Sequence, residues 1–115
     1  MKKIYYLSTC STCKKIIQDL NLSNDFEFQD IKTTKITDVQ LQEMAKLSGS
    51  YESLFSRRAI KYKTLGLKDK PLSENDIKKL ILEEYTFLKR PVIIIDNAIF
   101  IGNSAKTVEA TKQLL

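Results

Sequence analysis

The order of apolar and polar positions along the chain predicts an alternation of strands and helices. Residues 3–7 are β-branched and aromatic, which indicates a first strand. Apolar residues at helical spacing then predict a helix that ends near Asn21, with Thr9 or Ser11 as its cap. Residues 26–31 alternate between apolar and polar, which predicts a second strand, parallel to the first through the helical crossover. The first third of the chain is therefore a βαβ unit.

The middle of the chain carries helical patterns. Residues 37–40 have the form of a capping box, and apolar positions at mostly helical spacing predict a helix over 38–48. A short further helix is expected at 51–55. Ser73 is then placed to cap a helix that ends near Thr86.

The last third returns to strands. Residues 91–95 form a continuous, mainly β-branched run, as expected for a strand covered on both faces. A turn then leads into 98–101, so that the two runs form a hairpin. Ser104 is placed to cap a final helix. The apolar side of that helix is predicted to comprise Val108, Ala110 and Leu114 or Leu115.

Taken together, the elements follow the order β-α-β, helices, β-β-α. This order is typical of an α/β fold with a thioredoxin-like mixed sheet. We therefore expect a single domain over residues 1–115, with a helical insertion at about 37–86.

Charge is unevenly distributed. The chain has 19 basic and 14 acidic residues, a formal charge of +5. The segment 57–70 holds six of the basic residues and one acidic residue, Asp69, so it alone accounts for +5. A local positive field suits an anionic ligand or an acidic partner surface, and a solvated basic loop is the alternative.

Composition also excludes several kinds of chemistry. Histidine is absent, which removes the commonest metal ligand and the commonest general base, and two thiols alone do not close a zinc site. We therefore predict no metal centre. The sequence shows no signal peptide and no apolar run long enough to span a membrane, so we expect a cytoplasmic protein without membrane contact.

The candidate chemistry lies in a Cys-x-x-Cys pair. Cys10 is expected at the N-terminus of the first helix and Cys13 one turn later, close enough for a disulfide. Free N–H groups and the helix dipole favour a thiolate at Cys10, which makes it the nucleophile and Cys13 the resolving thiol. A metal half-site and a pair of inert thiols are the alternatives.

Arginine is rare here, with three residues against 16 lysines. Arg57 and Arg58 are adjacent in the basic segment, and Arg90 precedes Pro91 at the start of the buried strand. A guanidinium binds a tetrahedral oxyanion bidentately, so Arg58 and Arg90 are candidate anion or thiolate partners. Ordinary surface solvation is the alternative for both.

These motifs together resemble the arsenate reductase (ArsC) and Spx family. The likeness covers nearly the whole chain and rests on residues 8–13, 56–58 with Tyr62 and 65–67, 88–96, and 101–102. It implies that Cys10 is the nucleophilic cysteine, Arg90 the active-site arginine and Pro91 a cis proline facing the thiol. Arg58 corresponds to a recurring arginine of the basic segment.

The resemblance implies a thiol-dependent reductase, whose substrate is a small oxyanion such as arsenate, or a disulfide. No bound cofactor is expected, and electrons would come from glutathione with glutaredoxin, or from thioredoxin. Members that reduce arsenate carry a further arginine where this chain has Asn103, and many lack the second cysteine. The alternative is a redox-sensing regulator like Spx that binds RNA polymerase through the surface around 49–63. We do not expect direct binding to DNA, because one short basic segment supplies few phosphate contacts.

Overall fold

Four strands form one mixed sheet, in the order β2-β1-β3-β4, in this computed structural model, which describes residues 1–115. The strands are β1 (Lys2–Tyr6), β2 (Glu27–Asp30), β3 (Val92–Ile95) and β4 (Ala98–Ile101). β1 pairs in parallel with β2 and antiparallel with β3, and β3 pairs antiparallel with β4. The predicted α/β fold class with a mixed sheet is confirmed.

Five α-helices accompany the strands. They are α1 (Ser11–Leu20), α2 (Asp38–Ser48), α3 (Ile60–Thr64), α4 (Glu74–Glu83) and α5 (Ala105–Gln113). The chain divides into two compact units. The first contains the sheet, α1 and α5 and is formed by Met1–Lys35 with Arg90–Leu115; the second, Ile36–Lys89, contains the other three helices. None of the helices is long and apolar enough to cross a membrane.

One face of the sheet packs against α1. Ile4 on β1 lies opposite Phe28 on β2 and Ile93 on β3, so the central strand is paired on both sides. The core cluster on this face comprises Ile4, Ile16, Leu20, Phe26, Ile93 and Ile95. This packing fixes α1 on the sheet and, with it, the position of the thiol pair.

Every residue of β3 is buried, as expected from its continuous apolar run. The turn after it places Asp96 at φ 54°, in the left-handed region that aspartate tolerates better than most residues. The N-terminal ammonium of Met1 pairs with the Asp96 carboxylate at 3.0 Å. Because β3 pairs antiparallel with β4 across this turn, the predicted hairpin is confirmed.

The predicted apolar side of α5 is partly wrong. Ser104 caps the helix by accepting the Thr107 N–H, and Val108 packs against the core cluster, both as expected. Ala110 is exposed, however, and Leu114 and Leu115 are each 53% exposed. The buried position is Thr111, at 0% exposure. Its hydroxyl donates to the Thr107 carbonyl at 2.8 Å, and this bond within the helix satisfies the polar group that burial removes from water.

The second unit contains two capping boxes. Thr37 caps α2 together with Gln40, and Ser73 caps α4 together with Asp76. α4 ends at Glu83, and a separate 3₁₀ turn, Tyr85–Phe87, occupies the stretch that the sequence assigned to its last turn.

The basic segment is more ordered than its sequence suggests. It contains α3, which the sequence did not predict, followed by Gly66 at φ 65° and a 3₁₀ turn over Leu67–Asp69. The short helix expected at 51–55 is a 3₁₀ turn over Glu52–Leu54.

Candidate functional site

The residue at the N-cap of helix α1 (Ser11–Leu20) is Cys10, not a hydroxyl-bearing residue. Cys10 has an extended backbone (φ −94°, ψ 112°), and no side chain caps the helix. Its N–H donates to the Leu7 carbonyl at 3.0 Å, and its carbonyl accepts the Lys14 N–H at 3.2 Å. The expectation that Thr9 or Ser11 caps this helix is therefore wrong, because the backbone turn falls on the cysteine between them. The first-turn N–H groups consequently have no hydroxyl partner, and those of Thr12 and Cys13 act on the Cys10 thiol.

The Cys10 thiol is half-buried, and its surroundings favour the thiolate. Burial raises its pKa, but the N–H and thiol of Cys13, the N–H of Thr12 and the charge of Arg90 lower it more, so the net pKa is lowered. Hydrogen-bond donors at a helix start and a nearby cation are the usual means of activating a cysteine.

Cys13 has the opposite character. Its side chain is 0% exposed, and burial raises its pKa to about 11, against smaller lowering effects from the Leu7 backbone and from Arg90. Its contact with Cys10 also raises its pKa, since Cys13 donates to the Cys10 sulfur. Both cysteines are free thiols in the structure. The pair thus holds one activated and one protonated thiol.

Arg90 and Pro91 lie at the entrance to β3, in the same unit as the thiols. The Arg90–Pro91 peptide bond is cis, as the family resemblance implies. Arg90 is half-buried, and its charge lowers the pKa of both cysteines. The carbonyl of Pro91 accepts the Gly102 N–H at 2.9 Å, which joins the start of β3 to the end of β4. The structure therefore brings together Cys10, Cys13 and Arg90.

Arg58 belongs to the second unit, where it is exposed and lines a cleft with its neighbour Arg57. Its part in substrate binding stays a prediction. The lysines of the same segment share its exposure, and Lys61 pairs with Glu84 at 2.8 Å.

Sequence reasoning missed Asp30, the last residue of β2. Its carboxylate accepts the backbone N–H of Ser8 at 3.2 Å, two residues before Cys10. The hydroxyl of Ser8 contributes most to lowering the pKa of Asp30, opposed by slight burial and assisted by the Lys32 N–H. The only available signal was a carboxylate at the end of a strand parallel to β1, because parallel strands end at the same sheet edge.

Residues 5–111 match the ArsC family. The chain belongs to the ArsC family. It therefore has the thioredoxin-like fold of ArsC thiol oxidoreductases, and the family resemblance read from the sequence is confirmed.

Proteins similar to this ArsC-family chain include a transcriptional regulator and an arsenate reductase. The global transcriptional regulator Spx 2 of Bacillus anthracis is 27% identical over 105 residues, covering 89% of this chain and 79% of that protein. An arsenate reductase from Vibrio cholerae superposes with a TM-score of 0.77 at 16% identity, covering 99% of this chain and 97% of that one. A protein of Staphylococcus aureus COL, solved in solution, gives a TM-score of 0.74 at 26% identity over 96% and 97% of the two chains.

Proposed function

We propose that this protein is a thiol-disulfide oxidoreductase in which Cys10 is the nucleophile and Cys13 the resolving thiol. The observation that carries the proposal is the opposite shift of two thiol pKa values at one helix start: lowered at Cys10, and raised to about 11 at Cys13. Attack requires a thiolate, which the lowered pKa favours at Cys10, whereas the raised pKa keeps Cys13 a thiol and leaves the first attack to Cys10.

With a disulfide substrate, the Cys10 thiolate attacks one sulfur, forms a mixed disulfide and expels the other sulfur as a thiolate, which takes up a proton. Cys13 then loses its proton and attacks the Cys10 sulfur, which releases the second substrate thiol and leaves a Cys10–Cys13 disulfide. The substrate gains two electrons and two protons. An external dithiol such as thioredoxin, or glutathione with glutaredoxin, returns both to the protein.

With arsenate, the Cys10 thiolate displaces one oxygen as water and forms an arsenic–sulfur bond. Attack of Cys13 on the Cys10 sulfur then breaks that bond, and arsenite leaves with the electron pair. Arg90 would hold the oxyanion with paired N–H donors, and Pro91 would line the same side of the thiol. Asn103, exposed just after β4, offers no charge where arsenate-reducing relatives carry an arginine, which favours a disulfide substrate.

A coupled assay tests this proposal. Reduced protein is supplied with a small disulfide or with arsenate, together with glutaredoxin, glutathione and glutathione reductase or with thioredoxin and its reductase, and NADPH consumption is followed above the rate without the protein. We expect turnover of at least one substrate, abolished by Cys10→Ser. An absence of turnover with both substrates and both donors would overturn the enzyme assignment.

The likeness to Spx 2 of Bacillus anthracis favours a second candidate, a redox-switched regulator that binds RNA polymerase through the surface around 49–63. Here the thiol pair would act as a sensor, and formation of the disulfide would be the signal. Purified polymerase is mixed with the oxidised and reduced protein, and binding is measured. Equal absence of binding in both states would eliminate this candidate.

A further inference from the structure

The second unit contains a cleft beside α3, which we call the basic cleft. Its volume is about 730 Å³. The cationic and large apolar or aromatic side chains of its lining are Arg57, Arg58, Ile60, Tyr62, Lys63 and Lys68. Several of these residues belong to the surface around 49–63 invoked above for polymerase binding, so the inference that follows deepens that second candidate function and does not depend on the thiol chemistry.

Several cations of this cleft have no carboxylate partner within the chain. Arg57 pairs with Glu52 at 3.4 Å, but Arg58, Lys63 and Lys68 form no ion pair. The lining contains one acidic residue, Asp69. Three unpaired positive charges in one concave surface give a local field that attracts acidic groups.

An apolar side chain lies among these charges. Ile60 on α3 is 81% exposed, the highest value among the large hydrophobic residues of the chain. Tyr62, also in the lining, is half-buried, and its ring packs edge-on against Phe55 at 6.0 Å between centroids. Covering Ile60 would remove apolar surface from water, a gain that the folded chain alone leaves unused.

We propose that the basic cleft docks an acidic segment of a partner protein, one that places an aliphatic side chain over Ile60 between carboxylates facing Arg58, Lys63 and Lys68. An apolar centre with a charged rim is the anatomy of a protein interface. A nucleic acid suits the cleft less well, because three cations neutralise few phosphates and the Asp69 carboxylate repels them. A small anion would gain nothing from Ile60. An extended acidic chain uses both features.

Fluorescence anisotropy with a labelled acidic peptide, in which glutamates flank one leucine, tests the docking. We expect saturable binding that weakens as salt rises, since exposed charges are screened. Lys63→Glu and Ile60→Ser should each raise the Kd roughly tenfold, equivalent to about 1.4 kcal/mol. Both positions are exposed, so neither change removes a buried contact.

Two variants serve as matched controls. Lys106→Glu makes the same charge change at an exposed lysine on α5, and Val39→Ser makes a similar apolar change at a residue 75% exposed on α2. Neither should change the Kd, and Cys10→Ser should bind like the parent. Equal binding of a peptide with lysine in place of glutamate, tighter binding of a single-stranded oligonucleotide, or no effect of Lys63→Glu and Ile60→Ser would overturn the proposal.

Discussion

The backbone N–H of Ser8 donates to the Asp30 carboxylate at 3.2 Å, and the same oxygen accepts the Lys32 N–H at 3.2 Å. Directly after β2, the Ile31 N–H donates to the carbonyl of Tyr6, the last residue of β1, at 2.9 Å. The end of β2 therefore holds the loop that leads from β1 to Cys10. A carboxylate outside the Cys-x-x-Cys motif thus helps to fix where the nucleophile lies.

Replacing this carboxylate should disturb Cys10 without touching it. We expect Asp30→Ala to lower the rate of Cys10 alkylation at pH 7 several-fold and to cost about 1 kcal/mol of stability, because two N–H groups lose their acceptor. Asp30→Asn keeps one oxygen and should recover most of the alkylation rate. Asp25→Ala, which removes an exposed partner of Lys2, is the control. Equal alkylation rates for Asp30→Ala and the parent would show that Asp30 does not position Cys10.

The pKa of Asp30 also predicts a pH dependence. The Ser8 hydroxyl contributes most to lowering this pKa in the folded protein, so folding favours the ionised carboxylate. Its stabilising contribution is fully present above the ordinary aspartate pKa and is lost as pH falls through the lower, folded value. The stability difference between the parent and Asp30→Asn should therefore be greatest near neutral pH and shrink in acid. Urea unfolding at pH 7 and pH 3 measures it; a difference that grows in acid would contradict the assignment.

The two cysteines should react with iodoacetamide at different pH. The pKa of Cys10 is lowered, whereas burial raises that of Cys13 to about 11, so at pH 8 roughly one Cys13 in a thousand is a thiolate. We expect mass spectrometry to find the label on Cys10 alone at pH 7. Cys13→Ser should leave the label in place, and Cys10→Ser should abolish it. Equal labelling of both thiols at pH 6 would refute the assignment of roles.

The same asymmetry predicts which variant accumulates an intermediate. Cys13→Ser lacks the resolving thiol, so we expect it to form a stable mixed disulfide with a small disulfide substrate. Cys10→Ser retains only the buried Cys13, which is 0% exposed, and should form none. Mass spectrometry without reductant distinguishes the adducts. An adduct on Cys13 of the Cys10→Ser variant would mean that the roles are reversed.

Local sequence patterns predicted the strands and most of the helices because their signals lie within one segment, as with the capping boxes at Thr37 and Ser73. The role of Asp30 depends on the register in which β1 pairs with β2, which sequence spacing alone does not specify although it predicted the parallel pairing. The buried side of α5 was predicted to comprise Val108, Ala110 and Leu114 or Leu115, because hydropathy does not anticipate that Thr111 satisfies its hydroxyl within the helix. Helix α3 was not predicted because it has only five residues and none of them is buried, so it has no apolar periodicity to detect.

Substitutions of Arg90 test whether this residue acts through its charge or also through the geometry of its guanidinium. Its charge lowers the pKa of both cysteines, an effect that any cation at this position would share. Only a guanidinium, however, can hold an oxyanion with paired N–H donors. We therefore expect Arg90→Lys to leave the pH dependence of Cys10 alkylation nearly unchanged, whereas Arg90→Gln should shift it to higher pH.

The catalytic rates should separate charge from geometry. Losing a bidentate, charge-assisted contact costs about 1.5 to 3 kcal/mol, or roughly ten- to a hundredfold in the rate of reduction. Arg90→Lys should show that loss, while Lys89→Arg, the same exchange in reverse at the exposed neighbouring residue, should stay near the parent rate. Thermal melts check that both variants fold. If Arg90→Lys reduces arsenate and disulfides as fast as the parent, Arg90 acts through its charge alone and the oxyanion-holding role is lost.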